Sequence, residues 1–361
     1  MGIDGFYFYD RVYSQSGSYA WNENLMSNSL SWSQQGPNPD LKMEKRVEYN
    51  LGLESSLLNK SLTISVNYFN TRITDQVGKM ASAYPSYQGN ITPYSNTAGT
   101  DLYKGVELGM TLEKKYGDFS FETGLNATFW DSKVLSRDET YAYNYLYRKG
   151  KPTDALFMLQ SLGLFNTQEE IDGSPRQLFG LVKPGDIKYK DQNGDGVIDN
   201  NDVTYVGRST SPVNLGLNLK ISYKRLSLYA LGIAYSGSDA QISGSYYRMS
   251  GDDKYSDIAL NRWTEATKMT AQYPRLSSLV ASNNNQSSTF WLYPNNYFNL
   301  AKIQLSYNFS KSICRSLCID DMNAYLMGSN LATLGNKNSL RNQSTGSLIT
   351  RSIAFGLNVT F

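Results

Sequence analysis

Histidine is absent from the 361 residues. No imidazole base, His-ligated zinc, Ser-His-Asp triad or histidine pH sensor can be built from this chain. Long apolar runs are missing too. No stretch approaches the roughly 18–20 apolar residues of a membrane helix. That excludes a helical membrane protein but not a barrel, whose strands place apolar side chains only at every second position. An excess of one charge is also lacking, with 34 basic against 32 acidic residues. No global field points to nucleic acid. Cysteine is scarce: Cys314 and Cys318 form either a small loop disulfide in an oxidising compartment or two free thiols. No second cysteine pair exists to complete a zinc site. The opening residues, Met1 to Tyr7, have neither the basic nor the apolar region of a secretion signal. For an exported protein, the targeting information is expected outside this chain. No nucleophile–base pair or phosphate loop is present, and Asp252-Asp253 and Asp320-Asp321 read as solvated turns. The expectation is a protein with no catalytic residue, not an enzyme.

What is abundant is aromatic: 28 Tyr, 14 Phe and 5 Trp, in a chain whose mean hydropathy is only −0.45. The side chains alternate with period two. Ile349, Ile353, Phe355, Leu357, Val359 and Phe361 share one face, against Thr350, Ser352, Ala354, Gly356, Asn358 and Thr360. Val213, Leu215, Leu217, Leu219, Ile221 and Tyr223 do the same against Asn214, Gly216, Asn218, Lys220, Ser222 and Lys224. Ala301, Ile303, Leu305, Tyr307 and Phe309 form a third series. Similar patterns cover 46–57, 61–73, 103–114, 118–132, 226–236 and 321–333, with weaker strands expected in 3–13 and 19–33. The total is about eleven antiparallel strands of near membrane-crossing length. A soluble β-sandwich also alternates, but its strands average about 5–6 residues.

Connections support the barrel. Short turns at 58–60, 116–117 and 224–225, and a longer one near 310–320, alternate with long connections near 74–102, 133–212, 237–297 and 334–348. Transmembrane barrels have this rhythm, with short turns on the periplasmic side and long loops outside. The aromatic pairs Tyr68-Phe69, Phe129-Trp130 and Tyr307/Phe309 suit interfacial girdles, although each also suits ordinary packing. The last strand then ends at Phe361 in the periplasm, a close that resembles the signal read by the outer-membrane assembly machinery. An odd strand count places the first residue outside, so further strands are expected upstream.

The 133–212 connection carries Asp191-Gln192-Asn193-Gly194-Asp195-Gly196-Val197-Ile198-Asp199-Asn200-Asn201-Asp202. The oxygen spacing is that of a calcium loop. Asp191, Asn193 and Asp195 supply side-chain oxygens, Val197 a carbonyl, and Asp199 a direct or water-mediated ligand. Asp202 stands where a longer Glu is usual, which shortens the reach. No helical pattern flanks it. The expectation is structural Ca2+; the alternative is an Asn/Gly/Asp-rich turn without metal. Tyr141, Tyr143, Tyr145 and Tyr147 read as a strand extension with the tyrosines on one face. The alternative is stacking on sugar rings or contact with a lipoprotein lid.

The run Pro184-Gly185-Asp186-Ile187-Lys188-Tyr189-Lys190, continuing through the acidic loop to Val206-Gly207, resembles a hallmark of the SusC/RagA family of TonB-dependent outer-membrane transporters. So do Glu44 to Glu54, Asn96-Thr97-Ala98-Gly99 leading into Lys104-Gly105-Val106-Glu107, and Asn214 to Gly237. Arg262-Trp263-Thr264 and the close Phe355 to Phe361 follow in the same order. Two features depart from the pattern: the run Pro294 to Leu300, and the lack of an acidic Asp-Pro-Glu element in 334–348.

The resemblance implies the C-terminal portion of an all-β transmembrane barrel of about 22 strands, incomplete as given and with no plug domain. It further implies import of oligosaccharides or peptides, a SusD-like surface lipoprotein over the loops, and energy from TonB through the missing N-terminal region. The chain alone is then not a working transporter, since open sheet edges are not tolerated in lipid. The alternatives are a non-transporting structural or adhesive outer-membrane barrel and a secreted glycan-binding β protein. No nucleic-acid partner is expected.

Overall fold

The computed structural model describes residues 12–21, 26–79, 92–244, 246–249, 251, 255–278, 282–335 and 350–361. Eleven strands of nine residues or more are present among them. They are β1 (Val12–Trp21), β2 (Met26–Gln35), β3 (Lys45–Leu57), β4 (Leu62–Thr74), β5 (Gly99–Tyr116) and β6 (Phe119–Arg137). After a long connection come β7 (Val213–Tyr223), β8 (Leu226–Ser236), β9 (Tyr297–Asn308), β10 (Asp321–Gly335) and β11 (Ser352–Thr360). β1 and β2 form a separate antiparallel hairpin. The first expected strand, 3–13, lies almost wholly outside the described residues. Its two described residues, Val12 and Tyr13, belong to β1.

The other nine strands form one sheet in sequence order, β3 to β11, each beside the next. Short connections produce this meander. The turn after β3 is three consecutive left-handed residues, Leu58, Asn59 and Lys60 (φ 51°, 55°, 67°). Gly117 (φ 58°) and Lys224 (φ 53°) make the next two turns. A short helix, Lys311–Ser316, links β9 to β10, with Cys314 buried and Cys318 exposed as free thiols. Among the described residues the sheet does not close, and its edges are β3 and β11.

The chain divides into two compact units. One holds 1–50, 69–104 and 131–153; the other holds 51–68, 105–130 and 154–361, and β3 to β6 contribute residues to both. In the first unit, Asp101 Oδ2 accepts from Gln76 Nε2 and Arg137 Nη2, each at 2.8 Å. Asn96 ties the backbone there, receiving Lys42 N (2.7 Å) and donating to Asp75 O (2.9 Å).

The long connections near 133–212 and 237–297 are folded. They contribute short strands, among them Ala155–Leu159 paired with Val203–Arg208, and Asp239–Gln241 paired with Leu292–Pro294. β6 continues to Arg137, five residues past its expected end, because Val134 (1% exposed) pairs its backbone with Lys151 and Gly150. Residues 336–349 of the last long connection lie outside the described set.

Candidate functional site

The sheet has two chemically different faces, and its pairing register shows how each is built. On one face Phe119, Tyr223, Leu226, Tyr307, Ala324 and Leu357 lie side by side across six strands. The next row is aliphatic and aromatic: Phe121, Ile221, Leu228, Leu305, Leu326, Phe355. Toward the other end, Leu125, Leu217, Gly232 and Leu300 give way to Ala127, Leu215, Ala234, Phe298 and Leu334. Phe129 and Val213 close the series. This face is exposed: Leu217 is 49% accessible, Ile353 77% and Phe355 75%.

An exposed apolar face of this extent is far larger than a water-soluble surface carries. Ten residue steps separate Tyr223 from Val213. At ~3.3 Å per residue that is about 33 Å, or about 25 Å for a strand tilted by ~40°. Those are the dimensions of the apolar band of an outer-membrane barrel, with aromatics near both ends. Phe129 and Tyr307 take girdle positions at opposite ends. Trp130, on the other face, donates Nε1–H to Ser211 O (2.8 Å) beneath the Arg208 guanidinium.

The second face is more polar on β6, β7 and β11, whereas β8 places Tyr229, Leu231, Ile233 and Tyr235 on it. Lys220 faces Glu122 (3.8 Å), Asn218 packs on Gly124, and Ser222 and Ser227 share a hydrogen bond of 2.8 Å. The alternation read from Ala301 to Tyr307 holds only to Ile303. A bulge between Leu300 and Lys302, opposite Asn330 (φ 52°), carries Leu300 and Phe298 onto the apolar face instead.

Beyond the band, the 154–212 and 237–297 segments build one body. Leu159, Ile187, Tyr189 and Ile198 from the first share a core with Met249, Ala259, Tyr273 and Trp291 from the second. Buried polar groups lock the two together. Asp186, 1% exposed, faces Arg275 (Nε–Oδ1 2.8 Å, Nη2–Oδ2 3.0 Å) and accepts Asn284 Nδ2 (2.8 Å) and Lys183 N (2.8 Å). Asn283 Oδ1 receives Gln177 Nε2 (2.7 Å), Gln177 Oε1 receives Tyr189 N (2.7 Å), and Tyr189 OH donates to Asn283 O (2.7 Å). Burial pushes the Tyr189 phenol well above its usual pKa, so it stays a neutral donor.

Gly185 (φ +91°) lies under the Trp263 ring, where a Cβ would stand 2.6 Å from the ring carbon Cε3. Two of the motifs that resemble SusC/RagA, Pro184-Gly185-Asp186 and Arg262-Trp263-Thr264, are thus one packing contact. Asn283, Asn284 and Arg275 were not marked by the sequence. A run of asparagines reads as a turn, and only the fold shows that two of them are buried.

The acidic loop is on the surface of this body. Asp191 accepts Gly194 N (2.6 Å) and Gly196 N (2.9 Å), Asn193 accepts Asp195 N (3.0 Å), and Asp195 accepts Val197 N (2.8 Å). Partial burial works against the Asp191 charge, yet the N–H groups of Gly196 and Gly194 hold its carboxyl below the usual range. Asp199 caps the turn Asn200–Asp202, accepting Asn201 N (2.7 Å). Asp202 is fully buried; its two oxygens take Gln192 N and Asp199 N, each at 2.8 Å. Among the described residues no three carboxylate, imidazole or thiolate groups converge as metal ligands do.

The tyrosine series differs from the expected strand extension. β6 has ended, and residues 144–146 form a 3-10 turn. Tyr143 and Tyr145 stack (5.5 Å, 12°), while Tyr147 OH donates to Tyr141 O (3.1 Å). The cause is the Glu139 carboxylate, which takes both Arg148 N and Lys149 N and bends the chain back.

A meander of long strands with an exposed apolar band, and folded connections at one end, defines the wall of a transmembrane β-barrel. The family profile described as TonB dependent receptor-like, beta-barrel, matches residues 7–331, and the chain belongs to that family. It is 24% identical over 359 residues to TonB-dependent receptor P26 of Formosa agariphila, covering 90% of this chain and 35% of that protein. TonB-dependent receptor P3 of the same organism is 21% identical over 310 residues, covering 82% of this chain and 30% of the relative. The chain spans about a third of the length of these relatives. Among solved structures, the RagAB peptide transporter superposes with a TM-score of 0.74 at 19% identity, over 99% of this chain and 39% of that one. At that identity the likeness is one of fold, and it agrees with the SusC/RagA resemblance in the motifs.

Proposed function

We propose that this chain is the C-terminal barrel portion of a TonB-dependent importer of oligosaccharides or peptides, integral to the outer membrane. It supplies barrel wall and extracellular loops and is not an enzyme. The observation that carries this reading is the exposed apolar band, about 25 Å tall, on a chain of the TonB-dependent receptor family. The fold likeness to a RagAB peptide transporter supports import as the activity and peptides as one substrate class. The body built from 154–212 and 237–297 is the surface on which a SusD-like lipoprotein would rest. TonB would act through a part of the protein outside these residues, and β11 is the strand offered to the outer-membrane assembly machinery.

For the 191–202 loop we propose structural Ca2+. The support is the spacing of Asp191, Asn193, Asp195, Asp199 and Asp202 with the Val197 carbonyl.

The test is fractionation and gene deletion in the native organism, with uptake of labelled oligosaccharides and peptides as the readout. Detergent-dependent recovery from outer membranes, and lost uptake of one substrate class, are expected. Recovery without detergent would overturn the reading in favour of a secreted glycan-binding protein. Membrane recovery with unchanged uptake would favour a structural or adhesive barrel.

A further inference from the structure

The short-turn end of the sheet has a feature that barrel closure does not require. Backbone hydrogen bonds set its connections in one row: Glu113 N donates to Ser61 O (2.7 Å), Lys224 N to Asp118 O (3.0 Å) and Asn308 N to Arg225 O (2.9 Å). Lys60, Lys115, Lys224, Arg225, Lys311 and Arg315 are exposed in this row, and Lys114 is half-buried. The acidic groups among them are Glu113, Asp118, Asp320 and Asp321. Lys311 lies 3.7 Å from Asp321, but among the described residues Lys60, Lys114, Lys115, Arg225 and Arg315 form no ion pair. The row carries net positive charge in a chain that is close to neutral overall.

Directly above it, on the apolar face, lie Phe119, Tyr223 and Tyr307, and Lys224 Nζ lies 5.4 Å from the Tyr223 ring. The helix Lys311–Ser316 adds exposed apolar side chains, Ile313 and, just past its end, Leu317, beside Lys311 and Arg315.

We infer that this rim is a binding belt for the phosphates of anionic phospholipids in the leaflet facing the short turns. Aromatic rings that mark the interface, with long cationic side chains just beyond them, place positive charge at headgroup depth. A cationic row binds anionic lipid electrostatically, each residue adding to the attraction within a Debye length. Apolar side chains beside the charges favour a lipid surface over the cell wall, which offers no acyl layer. The inference rests on the membrane-barrel reading above.

The experiment uses the protein at the length its gene encodes. It is reconstituted in nanodiscs of phosphatidylethanolamine alone or mixed with phosphatidylglycerol. Lipid retained after transfer to detergent is quantified by mass spectrometry. Enrichment of phosphatidylglycerol is expected, falling about tenfold in the K115Q/K224Q/R225Q/R315Q variant. Equal enrichment in both proteins would overturn the proposal. So would peptidoglycan fragments retained by the native protein and lost in the variant with lipid unchanged. Should the variant fail to insert, the native protein decides: its enrichment must weaken as salt rises, and salt-independent enrichment overturns the belt. Recovery without detergent would sink the barrel reading, whereas insertion without lipid preference sinks only the belt.

Discussion

The side chain of Asn284 accepts the backbone N–H of Ile187 at 2.9 Å, 97 residues away in sequence. Both groups are buried. Through this bond and its neighbours, the 237–297 connection holds Ile187 to Tyr189 within the SusC/RagA-like motif.

Asn284→Ala leaves the Ile187 N–H and one Asp186 oxygen short of a partner, at a cost of about 1–3 kcal/mol. Arg275→Ala removes the ion-pair partner of the buried Asp186, costing about 3–5 kcal/mol. In both variants, 154–212 and 237–297 should become protease-sensitive together while β7 to β11 stay protected. Independent loosening of the two segments, read by limited proteolysis with mass spectrometry, would show that they do not share a core.

Leu217 is at the middle of the apolar face, and Gln304 is on the opposite one. Leu217→Arg should destabilise insertion by about 2–4 kcal/mol, and Gln304→Arg by much less. Urea-dependent folding into vesicles measures both; equal costs would contradict a lipid-facing side for Leu217.

Gly356 lies against the Tyr325 ring of β10, leaving no room for a Cβ. Gly356→Val should cost about 1–3 kcal/mol by overpacking. Tyr325→Ala in the same chain should recover part of that cost, because the two sites are in contact. A purely additive double mutant in thermal unfolding would mean that the ring does not cover the glycine.

The Asp191 carboxyl is held below the usual range by backbone N–H groups. A depressed native value stabilises above the unfolded value and is lost as pH falls through the native one. Protection factors of the Gly194 and Gly196 amides should therefore persist through the ordinary carboxylate range and collapse only in stronger acid. Loss beginning near neutrality would contradict the bonding.

Sensitised terbium emission is expected from the native protein and not from Asp195→Ala, with calcium competing. Identical emission from both removes metal from the loop.

The strands were legible in the sequence because a lipid-facing sheet repeats every two residues, and a slip of one would turn every apolar side chain inward. That constraint set β7 at Val213–Tyr223 and β8 at Leu226–Ser236, where alternation and structure agree. The short turns were legible for a related reason, since each separates two alternating runs by a few residues. The rest depended on contacts distant in the chain. The bulge at Ala301 breaks the alternation where Asn330 turns left-handed on the neighbouring strand, and nothing local to Ala301 marks it. The tyrosine series turns back because Glu139 captures Arg148 and Lys149, a choice that spacing does not encode. The segments 154–212 and 237–297 become one body only when Asp186, Arg275, Asn283 and Asn284 meet. Period two is a local property that lipid enforces residue by residue; a buried polar network exists only once distant segments exclude water together.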